Sequence, residues 1–246
     1  MTAIDNLSSK DVLEFQKKVL GLGGKYDTLA DAAQEYVSIL YEQFKDSVVL
    51  TRLFATIPLK DLPEANREFA VSIARANGIV KQVKEDTLVL SLLGSRGTKP
   101  EWNDRRASKG HVGIPLASSD FVDRIPMISR LLSQLGAGID WIDRNDTQLV
   151  SSVFKSISGV FYVNDAATET DNRGRRIISA QDFVEKERVK TVFGIGGCYV
   201  GTSLFFANIV FLREYVKKGI AEQFMSSASK FKIATMGPVV NGRIFG

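Results

Sequence analysis

The chain has 246 residues, 44% apolar and 24% charged, a balance that supports a buried core and excludes a disordered chain. Its one cysteine and one histidine exclude a disulfide framework, a structural zinc site and a multi-histidine metal centre; a triad hydrolase would have to place its base at His111. The 32 basic and 28 acidic residues leave a net charge of +4 and are interspersed, so nucleic acid is not an expected partner.

A helix is predicted over residues 10–20, capped by Ser8 or Ser9 and stopped by Gly21-Leu22-Gly23-Gly24. A stronger one over 29–44 sets Leu29, Ala33, Tyr36, Val37, Leu40 and Phe44 on one face. Residues 47–57 read as a strand, with Val49, Leu53 and Ala55 alternating against Thr51, Arg52 and Thr56. A turn over 58–63 leads into a helix over 64–76, which Asn77-Gly78 stops. A buried strand follows over 87–93, then a loop over 94–110, a short strand over 112–116 and a helix over 125–135. Residues 139–142 are a connection and 149–157 fit helix or strand. A strand over 160–163 leads through the turn 171–174 to Ile177-Ile178 and a short helix over 180–187. Strands over 191–199 and 202–212 form a hairpin around Val200-Gly201. A last helix over 215–236 carries Val216, Ile220, Phe224, Ala228, Phe231 and Thr235 on one stripe, and Pro238 ends it.

Residues 1–11 are polar and carry no apolar signal core, and the most apolar run, 203–212, is far short of the roughly 20 residues that cross a bilayer. A cytoplasmic protein without a membrane partner is expected. No repeat or linker divides the chain, so residues 1–246 are expected to form a single domain: a helical extension over 1–28, a core over 29–236 and a tail over 237–246. Strands grouped between short helices favour an α+β fold, an antiparallel sheet with long terminal helices packed on one face and helices and loops over the other.

The order of helix, strand, helix, strand, variable region, hairpin and closing helix resembles GAF-type sensory domains. The most telling segment is 189–211, around Gly194-Ile195-Gly196-Gly197-Cys198, which resembles the last two strands of that family. Leu92-Leu93-Gly94-Ser95-Arg96-Gly97, Pro100-Glu101-Trp102-Asn103-Asp104-Arg105-Arg106, Gly110-His111-Val112-Gly113-Ile114-Pro115-Leu116, residues 125–132 and Phe161-Tyr162-Val163 resemble a sensor module found beside bacterial histidine kinases. The likeness spans about 29–236. It implies a small-molecule ligand of unidentified chemistry, held under the loops near 94–110, and no particular cofactor. A chain ending at Gly246 without an output domain is expected to act through a partner, a histidine kinase or another signalling protein, or as the sensory part of something larger.

The loop over 94–110 holds five cations, Arg96, Lys99, Arg105, Arg106 and Lys109, with Glu101, Asp104 and Trp102. Guanidinium forks beside a flat ring suit a carboxylate or phosphate; the alternative is that these cations pair with acids and pin the loop. His111 fits a hydrogen-bonded structural residue, a ligand contact or a haem ligand. Cys198 fits a small buried hydrophobe, and the glycines before it continue into a strand, so they are no dinucleotide fingerprint and mark a bulge or a close backbone approach to a ligand. A calcium loop from Glu169 fails at its twelfth position, Ala180. Arg173, Arg175 and Arg176 read as a solvated basic face, and Asp140, Asp143 and Asp146 as loop and capping carboxylates. Phe193, Tyr199, Phe205, Phe206 and Phe211 read mainly as core.

The candidate ligand-binding residues are therefore Trp102, Arg105, Arg106, His111, Tyr162 and Cys198, with no catalytic residue and no metal site expected. The expected function is a non-catalytic cytosolic sensor that binds a small molecule between sheet and loops and signals through terminal helices, which also suit a homodimer. A ligand-free regulatory module of the same fold is the alternative, ahead of an enzyme using His111 or Cys198.

Overall fold

A computed structural model describes residues 3–108, 110–144, 153 and 159–246. Ser8 opens α1 (Ser9–Leu20) with a capping box: its hydroxyl accepts the Asp11 N–H while the Asp11 carboxylate accepts the N–H of Ser8. Thr28 caps α2 (Leu29–Phe44) by accepting the Asp31 N–H. In chain order follow β1 (Val48–Pro58), α3 (Glu64–Ala76), β2 (Leu88–Gly97), β3 (Gly113–Pro115), α4 (Ser119–Asp123), α5 (Pro126–Gln134), β4 (Val160–Val163), α6 (Gln181–Glu187), β5 (Val192–Cys198), β6 (Phe205–Leu212), α7 (Lys218–Glu222) and α8 (Met225–Val240).

Every strand pair is antiparallel, in the order β3-β2-β1-β6-β5-β4, so β1 and β6, distant in sequence, form the centre of the sheet. Alternation along the strands makes two cores. On one face Leu53, Ala55, Phe206 and Val210 meet α1, α2 and α8. There Phe15, Tyr36, Phe44, Phe224 and Phe231 contact one another with tilted or edge-on rings, their centroids 5.0 to 6.0 Å apart. On the other face Leu50, Phe54, Leu92, Ile209 and Phe211 meet α4, α5, α6 and the loops between them. This is the expected α+β architecture, a six-stranded antiparallel sheet with helices over both faces. No described helix is long and apolar enough to cross a membrane.

Several local expectations are corrected. Strand β2 continues through Gly94 to Gly97, because Ser95 and Arg96 still pair with Arg52 and Thr51. Gly94 belongs inside it: a Cβ there would lie 2.6 Å from the Ala33 carbonyl oxygen, so α2 can rest on the sheet at that point only above a glycine. The last helix is two helices. Residues Val216, Ile220, Phe224, Ala228, Phe231 and Thr235 do form one inward stripe, but the chain breaks between α7 and α8, and Pro238 sits inside α8. So near a helix end a proline forfeits one donor, and its buried ring offsets part of that cost. The β5–β6 connection runs over 199–204, closed by the Tyr199 N–H donating to Leu204 at 3.0 Å, in place of a two-residue turn. Helix α4, capped by Ser118, was too short to signal its presence. Pairing of β5 with β6 has no bulge, and the Cβ that Gly196 lacks would stand 2.3 Å from the Phe206 carbonyl oxygen. The close approach is to the neighbouring strand. The expectations for Lys109, Asp146 and 149–157 fall, wholly or mostly, outside the described residues.

Candidate functional site

Between the sheet and its loop-covered face lies a cavity of about 250 Å³, just under the usual range of roughly 300–1,000 Å³ for ligand pockets. Its floor is Leu50, Arg52 and Phe54 of β1 with Ile209 and Phe211 of β6, and Met127 and Leu131 of α5 form one wall. Trp102 and Phe183 cover it, edge to face with centroids 5.7 Å apart. Gly97 makes the cover possible: a Cβ there would come within 2.8 Å of the Trp102 ring. Lys99 stands 4.9 Å from the centre of the same ring and pairs with Glu187, joining the loop to α6.

Among the described residues two charged or titratable side chains line this cavity, Arg52 and His111. Arg52 sits mid-strand in β1, opposite Ser95 and Ile209, and is partly buried. One Nη donates to the Gly110 carbonyl and the other to the Ser108 hydroxyl, each at 3.1 Å, while its buried Nε has no partner. Among the described residues no carboxylate pairs with it, and loss of hydration pushes its pKa down to about 10, still charged at neutral pH. His111 adopts a left-handed backbone, φ 55°, a conformation few residues other than glycine take up. It keeps an exposed edge, but crowding of the ring by protein, and then the Arg52 charge, lower its pKa. It is therefore neutral at pH 7.

The other expected residues go elsewhere. Arg105 lies over the Phe245 ring at 5.2 Å, and Arg106 is exposed and paired with Asp104. Tyr162 donates to the Val216 carbonyl at 2.6 Å and packs against the helix-side core. Cys198 is buried at the end of β5; burial raises its thiol pKa, which Lys232 partly opposes. None of these four lines the cavity, whereas Trp102 and His111 do. Arg96 pairs with Glu42 and lies over Tyr41, so the loop cations Arg96, Lys99 and Arg106 are committed to acids. Arg173 and Arg176 are exposed, as a solvated basic face requires, and Arg173 and Arg175 also pair with Asp123 and Asp171. Asp143 caps α4 through Ser119. It lines a larger groove of about 740 Å³ with Lys84, Asp86 and Asp120, which holds no comparable unpaired buried charge among the described residues. Among the described residues no cluster of three or more His, Cys, Asp or Glu could hold a metal ion.

No family model matches the sequence, and no curated relative matches it. The fold is found among solved structures. One similar structure is free methionine-R-sulfoxide reductase from Neisseria meningitidis in complex with its substrate, 8% identical, with a TM-score of 0.49 over 96% of this chain and 95% of that one. That similar structure is of an enzyme, and the expectation that the chain is not an enzyme is withdrawn. At that distance neither substrate nor residue roles carry over.

Sequence reasoning missed Arg52. Its signal was legible: a lone arginine in the apolar run Val48-Val49-Leu50-Thr51-Arg52-Leu53-Phe54 must either reach solvent or enter a site. Met127, Phe183 and Ile209 carried no such signal, since apolar residues that line a cavity look like core.

Proposed function

We propose that the chain is a small-molecule-binding domain whose ligand occupies the cavity between Arg52, Trp102 and His111. The observation that carries this reading is a mostly apolar cavity lined by one partly buried guanidinium that no acid pairs with among the described residues, the combination of apolar walls and few polar anchors that marks ligand sites. Binding biases the arrangement of the terminal helices on the opposite face. Strands β1 and β6 support that link, because Leu50, Phe54, Ile209 and Phe211 on the cavity side alternate with Leu53, Phe206 and Val210 on the helix side. A signalling partner receives the change, of the histidine-kinase-associated class that the sequence resembles, in the cytoplasm. Exposed Leu13 and Leu20 on α1 and Ile233 and Met236 on α8 support a second copy of the chain as a further contact.

Native mass spectrometry of protein purified from its own host, set against the denatured mass, tests the binding reading. A retained small molecule that is lost in the cavity-filling variant Leu131→Trp is the expected result. A mass equal to that of the bare chain, together with a Trp102 indole signal unmoved by small apolar probes, would overturn it.

A further inference from the structure

We infer that the ligand of this cavity is a small monocarboxylate with a short apolar body, its carboxylate bound by the Arg52 guanidinium. The inference rests on the cavity being the ligand site and adds the chemistry of what enters it.

A cation shielded from water is costly unless something pairs with it. Among the described residues every acid paired with a loop cation is engaged elsewhere: Asp104 with Arg106, Glu187 with Lys99 and Glu42 with Arg96. The partners Arg52 does have, the Gly110 carbonyl and the Ser108 hydroxyl, are neutral. Each Nη carries two N–H groups and has one neutral acceptor, and the buried Nε has none. A guanidinium that lines the cavity with donors to spare suits a carboxylate.

Charge limits the anion. Arg52 is the only cation lining the cavity among the described residues, and His111 is neutral at pH 7. One negative charge is balanced, whereas a phosphate monoester would bring a second that no further cation lining the cavity meets among the described residues, and it would face the Gly110 carbonyl. Size and lining limit the rest of the molecule. A volume of about 250 Å³ walled by Leu50, Phe54, Leu131 and Phe183 suits a short branched or aromatic body. A nucleotide is too large and too polar.

The test compares isovalerate and benzoate with their uncharged counterparts, isovaleramide, isoamyl alcohol and benzene, at pH 7 on the full chain. Binding is read by NMR from the Trp102 indole N–H and the Arg52 Nε–H. The acids are expected to shift both signals and to bind roughly 10- to 100-fold more tightly than the matched amide or alcohol. In Arg52→Gln that preference is lost, and Arg52→Lys retains part of it. If Arg52→Gln does not fold, as judged by circular dichroism, the comparison of acid with amide on the wild-type chain decides alone. Equal binding of acid and amide, with Trp102 shifted by both, overturns the carboxylate assignment and leaves the cavity as a binding site. No shift of Trp102 by any probe, benzene included, overturns both.

Discussion

His111 is the only histidine in the chain, so its titration can be followed without overlap. Its pKa in the folded protein is lowered, first by loss of hydration and then by Arg52, the charged group facing it among the described residues. The unfolded chain therefore takes up this proton first as pH falls. The contribution to stability is full above the ordinary histidine value near 6.5 and is lost as pH drops through the folded pKa. Denaturation measured between pH 7.5 and 5.5 (roughly the histidine range) should show stability falling with pH in the wild type and a flatter profile in His111→Asn. Asparagine suits this comparison because it tolerates the left-handed backbone at this position, so stability near pH 7 should stay within about 0.5 kcal/mol. A bound carboxylate offsets the Arg52 charge, so isovalerate should raise the His111 pKa measured by NMR. An unchanged pKa in the presence of saturating isovalerate would place the anion away from Arg52.

Between elements, stability depends on how closely backbones approach. At Gly94 the α2 backbone lies where a side chain would begin. Gly94→Ala should cost about 1–3 kcal/mol in chemical denaturation, as overpacking does. Gly219 in α7 has open space around its missing Cβ and no positive φ; Gly219→Ala should be stabilising by about 0.4–1 kcal/mol. The capping box of α1 is a third case, where Ser8→Ala should cost about 1 kcal/mol. These three signs separate the roles of small residues that look alike in the sequence. The elements themselves were largely legible, because α2, α3 and the central strands carry unbroken apolar periodicities with caps and stops at their ends. The split between α7 and α8 was not, since the apolar stripe continues across the break and nothing local marks it.

At the level of the whole molecule, one sheet separates two cores, and each has its own task. Phe231 contacts both Tyr36 of α2 and Phe206 of β6, and so fastens the terminal helices to the sheet. Phe231→Ala should destabilise the entire fold by about 3–5 kcal/mol. Phe183, on the partly exposed cavity cover, should cost less when truncated and should chiefly weaken ligand binding. An equal loss of stability at both positions would mean that the cavity cover is part of the folding core.

The sequence by itself determined the α+β class and most elements, because periodicity, caps and glycine breaks are local properties of the chain. It also placed Trp102 and His111 among the candidates, on the composition of one loop and a family resemblance. Only the tertiary structure decided which charges are free. Arg105 and Arg106 had as strong a claim as Arg52 by composition, but one lies over Phe245, the other is paired with Asp104, and neither lines the cavity. Arg52 acquires its role because β6 and β2 pair on either side of it and Ser108 and Gly110 close over it. Pairing and desolvation are set by residues distant in sequence, and they, more than residue type, decide which arginine lines the cavity without an acid partner among the described residues.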